Sequence, residues 1–103
     1  MMFNLEDIVI PKDLFKVNDL SWSEKIVLSL IRHYELENPG VSHTNREIAE
    51  AIGIGRDQVS RILNRLKKKD YIEMVTFYVP ETKQFKERRI AVLKYWNEEE
   101  EGE

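Results

Sequence analysis

Between Ser21 and Asn38 the apolar residues Ile26, Val27, Leu30, Ile31 and Tyr34 recur at the spacing of one helical face, which predicts an amphipathic helix. Ser21 and Glu24 stand three apart at its start, the pattern of a capping box, and Asn38, Pro39 and Gly40 stop it. A second such pair, Thr44 and Glu47, opens another helix through Ile48, Ala49 and Ile52, closed by Gly53. The link Gly53-Ile54-Gly55 leads directly into a third helix, from Arg56 to about Lys69. Two helices joined by so short a glycine-containing turn form a helix-turn-helix. Ahead of all three, "IVIPKDLF" reads as a short extended piece, with Pro11 at a first helical position followed by one or two turns.

After the third helix the periodicity changes. "YIEMVTFYV" and "FKERRIAVLKYW" are rich in β-branched and aromatic residues and flank the polar "PETKQ", which predicts a β-hairpin whose second strand ends near Lys94. Only Asp70 separates it from the helix, so the hairpin must fold back to cover Ile72, Val92 and their neighbours. The fold class is therefore mainly α with a small β-hairpin: a three-helix core followed by a C-terminal hairpin. It occupies residues 1–96 as one domain, and an acidic, disordered tail occupies 97–103.

Charge sharpens this picture. The net charge of −3 is unevenly spread. Met1 to Thr44 carries four bases against seven acids, whereas Gly53 to Lys69 carries six bases against Asp57 alone. Removing the five glutamates after Asn97 turns the net charge of −3 into +2, so the acidic balance comes from the tail. The absence of cysteine excludes disulfides and thiolate metal sites. His33 and His43 lie at no ligand spacing and read as surface or packing residues. No apolar run is long enough to span a bilayer, and Glu6 and Asp7 stand where a secretory leader would be basic, so a cytoplasmic protein without membrane or cofactor is expected. No nucleophile–base pair stands out, and the Gly-Ile-Gly link lacks the lysine and spacing of a phosphate loop. The chain is not expected to be an enzyme. Trp22, Tyr71, Phe77 and Trp96 read as core or interface aromatics.

The chemistry concentrates on the third helix. At about 100° per residue, Val59, Ile62, Leu63 and Leu66 share one face, and the opposite face centres on Asp57, Arg61, Asn64 and Lys68, flanked by Gln58, Ser60, Arg65 and Lys67. Arginine can bond guanine through two hydrogen bonds, and asparagine or glutamine can do the same with adenine, which suits Arg61, Asn64 and Gln58 to base edges. Arg65, Lys67, Lys68 and Lys69 suit phosphates. The competing reading is a solvated amphipathic helix.

The segment "TNREIAEAIGIGRDQVSRILNRLKKKDYIEM", followed by a charged hairpin, resembles the winged helix-turn-helix domains, through I-A-x-x-I-G-I, V-S-R and K-x-Y-I. From "IPKDLF" onward it is also similar to the DNA-binding domains of plasmid and phage replication initiators and replisome organisers, and to small transcriptional regulators. The resemblance implies that the helix beginning at Arg56 enters the major groove of double-stranded DNA. It implies that the segment opened by Thr44, Asn45 and Arg46 crosses the backbone, and that the hairpin tip near Pro80 to Lys86 touches backbone or minor groove. Lys83, Lys86 and Arg88 would act there; their alternative is an edge protected by charge. Two positions depart from the family pattern: Gly55 stands where many relatives place a serine cap, and Asp57 is a carboxylate on the face toward DNA. The dipole of a helix N-terminus favours Asp57 whatever the function, which is the preferred reading; the alternative is that it accepts from cytosine N4 in a complex.

The function expected is sequence-specific DNA binding, with an origin or an operator as the site; the alternative is a winged-helix module that binds protein through its acidic first third. A homodimer is expected because one recognition helix spans few base pairs, and Leu28 and Leu36 widen the apolar face of the Ser21–Asn38 helix. The acidic tail is either a weak internal competitor for the basic helix or a solubilising appendage.

Overall fold

The structure is a computed structural model that describes residues 10–37, 43–82 and 84–95, with Phe85 and Lys86 described by their backbone alone. Its elements run α1 (Lys12–Phe15), α2 (Trp22–Glu37), α3 (Asn45–Ile52), α4 (Arg56–Lys68), β1 (Ile72–Tyr78) and β2 (Phe85–Val92). This is the winged helix-turn-helix arrangement expected from the sequence, with α1 as one preceding turn. Pro11 is the N-cap of α1 and not its first helical residue, and its carbonyl accepts from Leu14 and Phe15 at 3.0 and 3.2 Å. Asn38, Pro39, Gly40, Trp96 and the tail from Asn97 lie outside the described residues.

Both capping boxes form. Glu24 N–H donates to Ser21 Oγ at 3.2 Å while Ser21 N–H donates to Glu24 Oε1 at 2.9 Å. At α3, Glu47 N–H donates to Thr44 Oγ1 at 3.1 Å and Thr44 N–H to Glu47 Oε1 at 2.9 Å. Each satisfies donors that a helix start otherwise leaves to water.

The core is built where α2 and α4 meet. Val27, Leu28, Leu30 and Ile31 pack with Val59, Ile62, Leu63 and Leu66, all buried, and Leu14, Ile48, Tyr71, Ile72 and Ile90 close the cluster. Leu28 thus belongs to the monomer's own core and not to a second subunit, because α2 is covered on more than one side. Leu36, the other residue of that expectation, is 62% exposed. The aromatics divide. Tyr71 is buried, but Trp22 and Phe77 lie outside the core. Trp22 opens α2 on its solvent side, edge-on to Phe15 at 5.0 Å and under Lys25 Nζ at 4.5 Å; Phe77 stands on the projecting part of the hairpin beneath the Arg89 guanidinium.

The hairpin pairs Ile72 with Val92, Met74 with Ile90 and Thr76 with Arg88. Ile72 and Ile90 reach the core, while every residue from Val75 to Tyr78 is exposed, so the hairpin leaves the body as a wing. Between Phe77↔Glu87 and Tyr78↔Phe85 the register shifts, leaving Lys86 as the extra residue of a bulge. The second strand ends at Val92, short of Lys94. There the N–H groups of Leu93 and Lys94 both turn to the Tyr71 carbonyl, at 2.8 and 3.4 Å, because the partner chain is already bending into α4.

Two backbone positions join these pieces through left-handed conformations. Gly53 ends α3 at φ 76°, donating to the Ala49 carbonyl at 2.8 Å. Asp70, at φ 66°, ends α4: its N–H reaches the Lys67 carbonyl at 3.0 Å and the N–H of Tyr71 reaches the Leu66 carbonyl at 2.9 Å. Those two bonds are a Schellman ending, and the buried pair Leu66 and Tyr71 supplies its apolar contact.

A Cβ at Gly53 meets nothing within 4 Å, so Gly53→Ala carries only the cost of the left-handed backbone and should destabilise by about 1–2 kcal/mol. Asp70→Gly should do the opposite and stabilise by about 1 kcal/mol, since it removes that cost and a carboxylate from the negative end of α4. Denaturant unfolding of the two variants beside the wild type checks both signs.

Candidate nucleic-acid interface

The amphipathic reading of α4 is realised residue by residue. Val59, Ile62, Leu63 and Leu66 are at most 1% exposed, while Arg56, Asp57, Gln58, Ser60, Arg61, Asn64, Arg65, Lys67 and Lys68 are all exposed. Burial of the one face fixes the helix, so the polar face stands outward as a pre-set row. Gly55 caps α4 in extended conformation with no side-chain acceptor, which leaves the helix start uncovered. Asp57 sits in that first turn, where the dipole favours it. Between α3 and this start lies an open cleft of about 520 Å³ lined by Arg46, Ala49, Glu50, Ile54, Gly55 and Arg56. Arg46 is exposed and pairs with Glu50 at 3.2 Å, an exposed contact that a stronger anion can displace at little cost. Thr44 is exposed as well, with its hydroxyl engaged in the cap.

Besides Thr44 and Arg46, three more of the residues assigned to DNA from the sequence are bonded inside the protein. Arg65 Nε donates to Glu24 Oε2 at 2.6 Å, across 41 residues of chain. Arg88 donates to Asn45 Oδ1 at 2.6 Å and to the His43 carbonyl at 2.8 Å, which fastens the wing to the start of α3. The guanidinium of Arg88 is held below its ordinary pKa by burial. His43, buried beside it, shares a 3.0 Å hydrogen bond with Glu47 and packs on the Tyr34 ring; burial lowers its pKa and Glu47 offsets part of that. Lys83 and the side chain of Lys86 lie outside the described residues. The remaining wing cation, Arg89, pairs with Glu87 at 2.9 Å.

The buried carboxylate of Glu24 is what the sequence did not reveal beyond its capping role. It is 2% exposed, and besides the Ser21 N–H and Arg65 it accepts from Lys69 Nζ at 3.1 Å. Lys69 also donates to the Asp19 carbonyl, and the Asp19 carboxylate accepts from the Tyr71 hydroxyl at 3.1 Å. Burial and the neighbouring carboxylates push the Tyr71 phenol up to about 12, so it remains a donor. Burial also opposes ionisation of Glu24, but the Ser21 N–H, Arg65 and Lys69 outweigh it, and its pKa is held below 4.5. Arg65 and Lys69 lie 41 and 45 residues beyond Glu24, a separation at which no local pattern signals a partner.

A depressed carboxylate pKa contributes stability that is present above the unfolded value and lost as pH falls through the folded one. Glu24→Gln should therefore lower the unfolding free energy at pH 7 by about 1.5–3 kcal/mol, the range for hydrogen bonds to charged groups. The gap to the wild type should narrow as pH drops below 4.5. Urea unfolding at neutral and acid pH measures both parts.

No helix among the described residues is long and apolar enough to cross a membrane. Neither the curated proteins nor the solved structures yield a match to this chain. The family comparison does: the Crp-like helix-turn-helix domain matches residues 24–88, from the buried carboxylate of α2 through both helices of the motif to Arg88 of the wing. That span is more than half of the chain, and with the fold it shows that this protein belongs to the Crp-like helix-turn-helix domain family, a DNA-binding family.

Proposed function

We propose that the protein is a sequence-specific double-stranded DNA-binding transcription regulator, acting by occupying its site. The observation that carries this reading is α4, a helix anchored by four buried apolar residues that turns a row of arginine, asparagine, glutamine and lysine side chains to solvent. In the major groove, Arg61 would pair with guanine, and Asn64 or Gln58 with adenine. Lys67 and Lys68 flank them toward phosphates, and Arg56 and Arg46 line the cleft beside the uncapped helix start, where a phosphate gains from the dipole. The Crp-like match supports regulation of transcription over initiation of replication. One recognition helix covers few base pairs, so two copies on half-sites about 34–36 Å apart would complete the recognition.

The test is a set of single substitutions measured on a duplex selected from a random library and on mixed-sequence DNA. Arg61→Ala and Asn64→Ala should each cost about 1–3 kcal/mol on the selected duplex and little on the mixed one. Lys68→Ala should weaken both and flatten the dependence of log affinity on log salt by about one unit. Equal losses for all three on both duplexes would refute base reading by this face.

A further inference from the structure

Six cations lie between Arg56 and Lys69, yet they do not face the same way. Arg56, Arg61, Lys67 and Lys68 make no ion pair among the described residues. Arg65 and Lys69, one helical turn apart, converge instead on one carboxylate at the start of α2. Each oxygen of Glu24 is taken: Oε2 by Arg65, Oε1 by Lys69 and the Ser21 N–H. Asp19 lies alongside, its carbonyl accepting from Lys69 and its carboxylate from the Tyr71 hydroxyl. An exposed ion pair would contribute little and yield readily to a phosphate. Here the donors Arg65 and Lys69 are 47% and 34% exposed but the acceptor only 2%, and stripping a partner from a buried carboxylate leaves a desolvated charge behind.

We propose that Glu24 is a positioning residue for DNA recognition, holding Arg65 and Lys69 against the start of α2 so that it sets the lie of the C-terminal half of α4 and withholds those two cations from phosphate. The proposal rests on the DNA-binding reading above. It follows that α4 neutralises phosphates with fewer charges than its sequence contains. Sequence-independent attraction is thereby reduced, while the base-reading residues Arg61 and Asn64, on the turns next to the clamp, are held in register. Glu24 trades general affinity for discrimination.

Counterion release makes this measurable, because each cation that meets phosphate contributes nearly one unit to the salt slope. The full-length chain and its variants are titrated with a mixed-sequence duplex of about 20 base pairs and with a library-selected duplex of the same length, at several potassium chloride concentrations, a length that spans about two turns. Arg65→Ala and Lys69→Ala should leave the slope on the mixed duplex at the wild-type value, whereas Lys68→Ala flattens it by about one unit. Glu24→Gln frees both cations, so it should steepen that slope by about one to two units, tighten mixed-sequence binding and narrow the affinity ratio between the two duplexes. A purely structural carboxylate predicts weaker binding throughout, without a steeper slope. The proposal is overturned if Arg65→Ala flattens the slope as Lys68→Ala does, or if Glu24→Gln leaves slope and ratio unchanged. Should Glu24→Gln fail to fold, the two cation variants decide alone. A wild type that binds neither duplex removes the DNA-binding reading itself, and the proposal with it.

Discussion

Everything in this domain depends on the burial of one side of a single thirteen-residue helix. Val59, Ile62, Leu63 and Leu66 are removed from water against α2, at an order of 1.5–3 kcal/mol for each side chain fully buried. No other face of α4 is apolar, so its rotation about its own axis is determined by those four side chains. Once that rotation is fixed, the direction of Arg61 and Asn64 follows, and so does the placement of the turn before the helix and the hairpin after it. Recognition chemistry is thus a by-product of packing: the same periodicity that builds the core selects which residues are presented.

The two ends of α4 are treated differently. At its start the backbone donors remain open, with glycine at the cap and arginines at the neighbouring cleft. At its end the carbonyls are closed by a Schellman turn and the cations are drawn toward Glu24. The dipole thus favours an anion at the start of the helix, while at its end Arg65 and Lys69 are paired and Lys67 and Lys68 stay exposed. A count of lysines and arginines along the basic run conceals this division.

How much of this could be read from the chain follows from the range of each interaction. Both capping boxes, the split of α4 into two faces and the short glycine turn depend on residues within four positions of one another, and these were legible at Ser21 and Glu24, at Thr44 and Glu47, and from Val59 to Leu66. Leu28 was set on the wrong side of the ledger because a helix wheel shows one neighbour at a time, whereas α2 is covered by α4 and by the hairpin together. Arg88 and Asn45 carry donor and acceptor groups suited equally to DNA and to each other; only the return of β2 toward α3, fixed by its pairing with β1, brings them within 2.6 Å. Trp22 and Phe77, expected in the core or at an interface, stand outside the core for a further reason. Aromatic residues are most often buried, but a tryptophan at the first position of a helix and a phenylalanine on a projecting strand can both shelter beneath a cation instead.

The joint between α4 and the wing has a mechanical meaning. Lys69, Asp70 and Tyr71 are the whole connection, Tyr71 is locked into the core, and its carbonyl holds Leu93 and Lys94 just past the returning strand. With no slack segment to absorb rotation, the hairpin and the helix behave as two arms of one crank. Arg88 then ties the far arm back to α3. A load applied at the wing tip is delivered as torque on α4, so whatever bears on the wing also steers the helix. The span between helix and wing is therefore set by the fold itself.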